Sequence, residues 1–420
     1  MQSMWYFANG GQRTGPIALE ELVGHVRAGR VAQSDLVWTA GMPAWRAAAE
    51  VAQVWGSAQS SAANAPPPLH AAQESPPAHR PGGFFKDIAA QISDMADLPT
   101  ISDVPIRGIL LGGLGTTSTR EESIEDVFAA GVPRTTPRLA EIPSGWPRPR
   151  AFWHILLGAM AAYALLVVGA TVFGNPNFWP GVLVVGSFAT PLAVVVLFLE
   201  LNAPRNVSIY QVGRQLLLGG ALSLIAVLVL GLFVPSGTGR AFPAFLTGLV
   251  EESAKLLPLL WIARDRRYTW QMNGLLFGAA VGAGFAGFES AGYAFIAVIN
   301  EVSHGLNLIQ LRGLLAPGGH VIWCALVGAA LWRVKGNRAF ELQMLFDPVV
   351  LKRLAVVIVL HGLWDTDLGL YVPFGSLGLF GITPLHIALI LVGWYLIFGA
   401  LKQSLREVEE ARLRAVPTDA

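Results

Sequence analysis

The side chains able to do chemistry fall where water is scarce. Glu251 and Glu252 stand side by side in AFPAFLTGLVEESAKLLPLLWIA, with Lys255 one turn further on. Glu289 sits in GFAGFESAGYAF, His320 in APGGHVIWCALVG, and His361, Asp365 and Asp367 in VIVLHGLWDTDLGL. Each run is otherwise apolar. A charged side chain at the centre of a bilayer costs about 2.5–3.5 kcal/mol on insertion scales. A chain tolerates that when such groups face a protein interior or a watered cavity and act there.

Carboxylates and imidazoles gathered in a low-dielectric site suit general acid–base chemistry on water. Glu251 to Lys255, Phe285 to Glu289 and His361 to Asp365 are i,i+4 pairs, so each pair shares a helix face. Nothing in the string resembles a nucleophilic serine paired with a base. Cys324 lies one turn after His320, which makes a Cys–His pair the rival to an activated water. With water as nucleophile, Glu251 or Glu252 is the general base; Glu251 is favoured because its pairing with Lys255 is the less ambiguous. His320 would hold the water or the carbonyl. His361, oriented by Asp365, would stabilise the oxyanion or protonate the leaving amine. Glu289 would complete the polar cage and Lys255 serve as counter-charge. Arg312 reads as an interfacial anchor or as an outer-side partner of Glu289, and Asp367 lies nearer the outer surface. Glutamate and histidine are acceptable Zn²⁺ ligands, but no HExxH pair occupies one helix, so no metal cofactor is expected.

For these groups to meet, four membrane spans must converge. Of the 420 residues 53% are hydrophobic and only 14% charged, against about 25% charged in ordinary soluble domains. After residue 150 the apolar residues gather in runs of about 20, the length that crosses a bilayer as a helix. Eight spans are expected, near 152–174, 178–199, 213–234, 241–263, 273–299, 307–332, 354–372 and 377–400. The basic loops alternate: Arg148 and Arg150, Arg205 and Arg214, Arg264 to Arg267, Arg333 to Arg353, and the tail from Lys402 all fall on one side. Arg240 is the exception. The positive-inside bias then places both termini in the cytoplasm of a cell whose inner membrane holds the chain. Gly274, Gly278 and Gly282 form a small-residue stripe that lets a neighbouring helix approach.

Residues 1–55 read as a soluble domain, 56–150 as a Pro/Ala-rich linker with a juxtamembrane part, 151–401 as the membrane domain and 402–420 as a cytoplasmic tail. In the first of these, WYFANGGQRTGP reads as a hairpin, IALEELVGHVRAGRV as an amphipathic helix and LVWT as a strand. SAQSSAANAPPPLHAAQESPPAHRPGG has a disordered composition. The fold class is thus an all-α polytopic membrane domain of about eight helices behind a small α+β cytoplasmic domain. The net charge of +1 gives no case for nucleic-acid binding, and the single cysteine excludes a disulfide framework. The N-terminus lacks a signal-peptide layout.

In order, Glu251-Glu252-x-x-Lys255, Phe285-x-x-x-Glu289, His320 and His361-x-x-Trp364-Asp365, with the flanking FLELNAPR, GFAGFESAGY and RGLLAPGGH, resemble the PrsW branch of the CAAX-protease and bacteriocin-processing superfamily. The resemblance covers most of residues 150–400. It implies intramembrane proteolysis of a membrane-protein substrate, typified by an anti-sigma factor, in a family usually described as metal-independent. Many relatives carry asparagine where this chain has Asp365. Residues 4–55 resemble a bacterial GYF-like domain through Trp5-Tyr6, Gly15-Pro16, Leu22, Val37-Trp38, Gly41-Met42 and Trp45. That likeness implies recognition of proline-rich peptide by aromatics, with Trp5, Tyr6, Trp38 and Trp45 as candidates. The competing reading of the whole chain is a membrane transporter or sensor using the Glu/His cluster as a proton relay. Against it stands the lack of an inverted repeat or a matched pair of broken helices.

Overall fold

The computed structural model describes residues 4–9, 12–27, 31–55, 83–111, 131–132, 134–143, 145–234, 241–366 and 382–415. Asp367, Arg240 and the stretch 56–82 of the expected linker lie outside them. The chain divides into two compact units, Met1–His79 and Arg80–Ala420.

The first unit is a four-stranded antiparallel sheet, order β2-β1-β3-β4, with a helix between its second and third strands. Its elements are β1 (Trp5–Asn9), β2 (Gln12–Ile17), α1 (Leu19–Arg27), β3 (Leu36–Thr39) and β4 (Arg46–Ala47). Alternation along β1 sends Trp5 and Phe7 into the core with Leu22, Val26 and Val37. Tyr6 points to the other face, and there Tyr6, Trp38 and Trp45 form a half-buried aromatic row with ring centroids 6.0 and 6.4 Å apart. Trp5 is therefore removed from the expected peptide-contacting set, because strand periodicity spends its ring on the core.

The second unit is helical. Two shorter helices, α2 (Gly83–Ala96) and α3 (Ile106–Leu111), precede α4 (Ala151–Thr171), α5 (Trp179–Leu201), α6 (Ile209–Gly231), α7 (Ala241–Ala263), α8 (Gln271–Asn300), α9 (Val302–Leu315), α10 (His320–Lys335), α11 (Pro348–Asp365) and α12 (Pro384–Ala415). Six stretches are long and apolar enough to cross a membrane: α4, α5 with the turn before it, α6, α8, α9 joined to α10, and α12. The other two expected spans correspond to α7 and α11. Each carries several charged side chains, Glu251, Glu252 and Lys255 in one and Lys352, Arg353 and Asp365 in the other.

Local chemistry fixes these helices against each other. The Glu200 carboxylate at the end of α5 accepts from the backbone N–H groups of Arg150, Ala151 and Phe152 at 2.7–2.8 Å, satisfying donors that open α4. Residues 83–111 pack on the helical body. Arg353, fully buried, donates through Nε to the Ala96 carbonyl at 2.9 Å and so caps α2, while Arg333 pairs with Asp97 at 2.7 Å and Lys402 with Asp103.

The glycine stripe of α8 sets the position of the chemistry. A Cβ at Gly274, Gly278 or Gly282 would overlap the carbonyl oxygen of Gly328, Cys324 or His320 respectively. Bare backbone is thus required for α8 to lie on α10 along its whole length, and Glu289, two turns beyond Gly282, reaches the same face as His320. On α7, a Cβ at Gly248 would stand 3.0 Å from the Ile358 carbonyl oxygen and 3.2 Å from His361 Cβ, so α7 and α11 close one turn before Glu251. Replacing Gly278 by leucine is expected to destabilise the chain by about 1–3 kcal/mol through overpacking, read as a lowered unfolding temperature in detergent, with the same change at exposed Gly158 nearly silent.

Candidate active site

Five helices, α7 to α11, deliver the polar groups to one point. Lys255 Nζ lies 2.7 Å from Glu252 Oε1, 3.4 Å from Glu251 Oε2 and 3.0 Å from His320 Nδ1. His361 Nδ1 is 2.8 Å from the same Glu252 oxygen, and His361 Nε2 is 3.3 Å from Asp365 Oδ2 and 3.7 Å from Glu251 Oε2. His320 Nε2 is 3.2 Å from Glu289 Oε2, which also accepts from Arg312 Nη2. The result is one continuous chain of contacts from Arg312 through Glu289, His320, Lys255 and Glu252 to His361. Glu251, Glu252, Lys255, Glu289, His320, His361 and Asp365, the candidates read from the sequence, meet here.

Two assignments differ from expectation. Lys255 stands closer to Glu252 than to Glu251, because the i,i+3 partner on α7 shares its inward face more fully. His361 is gripped from two sides: Asp365 lies on Nε2 as the i,i+4 spacing implied, but Nδ1 belongs to Glu252. The two glutamates are thereby distinguished. The Glu252 side chain is 1% exposed and committed to Lys255 and His361, whereas that of Glu251 is 11% exposed and only loosely engaged.

An aromatic wall, unremarked in the sequence, encloses the histidines. Trp323 stacks 4.9 Å from His361 and 5.4 Å from His320, Phe285 lies 5.0 Å from His320, and Trp364 lies 5.5 Å from Trp323. The signal was a repeated His-x-x-Trp at His320-Trp323 and His361-Trp364. Lys255 Nζ sits 4.0 Å over the Phe285 ring, a cation–π contact. Cys324 is buried on α10, where Gly282 of α8 packs against it. His320 also departs from its expected place in the middle of a continuous span. The helix breaks at Ala316–Gly318, and His320 is the first residue of α10.

Glu251, His320 and His361 each offer a ligand atom within 4.8 Å of the others. Two imidazoles and a carboxylate are a suitable donor set for a divalent cation such as Zn²⁺. Charge supports the fit: Glu251, Glu252, Glu289 and Asp365 face Lys255 and Arg312, an excess of two negative charges when both imidazoles are neutral. His361 also has the carboxylate–histidine arrangement that orients metal ligands, with Glu252 on the other ring nitrogen. The expectation of a metal-free site is therefore not upheld.

Residues 209–397 match a family described as PrsW family intramembrane metalloprotease, and residues 5–53 match GYF domain 2. Among curated relatives, Protease PrsW of Clostridioides difficile (strain 630) is 25% identical over 159 residues, 36% of this chain and 63% of that protein. Protease PrsW of Shouchella clausii (strain KSM-K16) is 26% identical over 194 residues, 44% of this chain and 80% of that protein. The chain thus spans somewhat less than two thirds of the length of the first of them. No solved structure matches the chain significantly. The match and the apolar helices together make the chain an integral membrane protein.

Proposed function

We propose, from the premise that residues 209–397 form a PrsW-family domain, that the chain is an intramembrane endopeptidase hydrolysing membrane-protein substrates with an activated water. The observation that carries this reading is the convergence of Glu251, Glu252, Lys255, His320 and His361 from three helices into one buried, hydrogen-bonded group. Cleavage of a single-span reporter by the purified chain tests it.

In this mechanism Glu251, the less committed carboxylate, takes a proton from the attacking water. Glu252 holds His361 through Nδ1, which turns Nε2 towards Glu251 and Asp365. Glu251 then passes that proton to the leaving amine as the C–N bond breaks. His320, fixed between Lys255 and Glu289, steadies the substrate carbonyl as charge develops on its oxygen. The wall of Phe285, Trp323 and Trp364 lowers the local dielectric and strengthens each of these interactions. A divalent cation held by Glu251, His320 and His361 would supply Lewis-acid polarisation and a more acidic bound water. A carboxylate has two oxygens, so Glu251 can hold a cation with one and accept a proton with the other.

The orientation follows the positive-inside bias, with both termini in the cytoplasm. There the N-terminal domain recruits proline-rich segments of substrates or adaptors along the Tyr6–Trp38–Trp45 row. In the full-length chain, Trp38→Ala should weaken binding of a fluorescent proline-rich peptide by roughly 30-fold, as for a central aromatic anchor. Unchanged affinity would place the recruiting surface elsewhere.

A further inference from the structure

We propose that Arg312 is a positioning residue for His320, acting through Glu289; the inference rests on the peptidase reading above. Arg312 lies on α9, before the break, and His320 opens α10, after it. Both reach the same oxygen of the same side chain. Arg312 Nη2 donates to Glu289 Oε2, and His320 Nε2 lies 3.2 Å from that atom. Arg312 Nε donates to Ser290 Oγ at 2.8 Å, and the guanidinium sits 4.9 Å over the Tyr293 ring. Three neighbouring residues of α8 therefore fix the guanidinium, and the guanidinium fixes the carboxylate.

The consequence reaches the imidazole. Lys255 Nζ lies 3.0 Å from His320 Nδ1 and Glu289 lies on Nε2, so the ring is held from both sides. An anchored Glu289 fixes the orientation of that ring. Without Arg312 the carboxylate is free to turn, and His320 loses its outer support just where the helix is interrupted. Only arginine suits the position. Its planar fork serves Glu289 and Ser290 at once from one guanidinium, which a lysine ammonium on a flexible stem does not do in the same geometry.

The test uses the full-length chain in liposomes with a single-span reporter. Arg312→Ala should lower kcat by roughly 10–100-fold, as loss of an outer support does, with KM nearly unchanged. Added guanidinium ion should restore part of kcat, and Arg312→Lys should recover less than the added ion does. On a Glu289→Gln background Arg312→Ala should add little, because the two act through one route. Histidine ¹⁵N spectra, with His320→Asn identifying the signals, should show one sharp set of His320 ring signals in the parent and broadened or doubled signals in Arg312→Ala. Wild-type kcat in Arg312→Ala, full additivity with Glu289→Gln, or an unaltered His320 spectrum would each overturn the proposal. If Arg312→Ala does not fold, Arg312→Lys carries the same comparison. If the parent chain cleaves nothing, the peptidase reading fails, and the spectra alone decide whether Arg312 holds the His320 ring.

Discussion

Glu251→Gln should reduce cleavage by roughly 10²–10⁴-fold, the range for loss of a positioned general base, while leaving the fold intact. Glutamine preserves volume and hydrogen-bonding shape but accepts no proton. The structural loss is small because Glu251 is the looser of the pair, 3.4 Å from Lys255 and 3.7 Å from His361. Glu252→Gln should behave differently. It takes the charge from the 2.7 Å pair with Lys255 and from the 2.8 Å contact with His361, both inside the protein. Removing one partner of a buried pair destabilises by about 3–5 kcal/mol, so this variant should lose activity and thermal stability together. Reporter cleavage and detergent unfolding curves, measured side by side, separate the two. Equal stability losses would mean that both glutamates are structural partners of Lys255.

Removal of divalent metal should abolish cleavage. Treatment with 1,10-phenanthroline is expected to bring the reporter signal to background, and Zn²⁺ added after the chelator is washed out should restore it. The reason lies in the donors: Glu251, His320 and His361 converge within 4.8 Å in a cluster where, with both imidazoles neutral, carboxylates outnumber cations by two. His320→Ala and His361→Ala should each lower bound metal measured by elemental analysis, a reading independent of activity. Full cleavage by metal-free protein would instead leave the histidines as proton-handling groups alone.

How much of this was legible in the sequence depends on range. Contacts within one helix follow from spacing, so the sharing of a face by Glu251 and Lys255 and by His361 and Asp365 is visible in the string. The α8 glycine stripe announces close packing, though not that its partner is the backbone leading from His320. Contacts between helices were mostly out of reach, the pairing of Arg312 with Glu289 being one of two readings the sequence left open. Nothing in the spacing shows that Glu252 takes Nδ1 of His361, or that Lys255 reaches His320 across from α7. The break before His320 was written in Pro317-Gly318-Gly319, but hydropathy stays high through it, and an averaged window reads one continuous span. In the N-terminal domain, Trp5 and Tyr6 are equivalent as letters. Only the register of β1 sends one to the core and the other to the aromatic row.

The most direct test of the central claim is to reconstitute the purified chain in proteoliposomes with a single-span reporter, follow peptide products by mass spectrometry, and record proton flux on the same vesicles. The account predicts cleavage within or beside the reporter's membrane span, lost in Glu251→Gln, with no coupled flux. An intact reporter together with proton flux that disappears in Glu251→Gln would contradict it and make the cluster a relay.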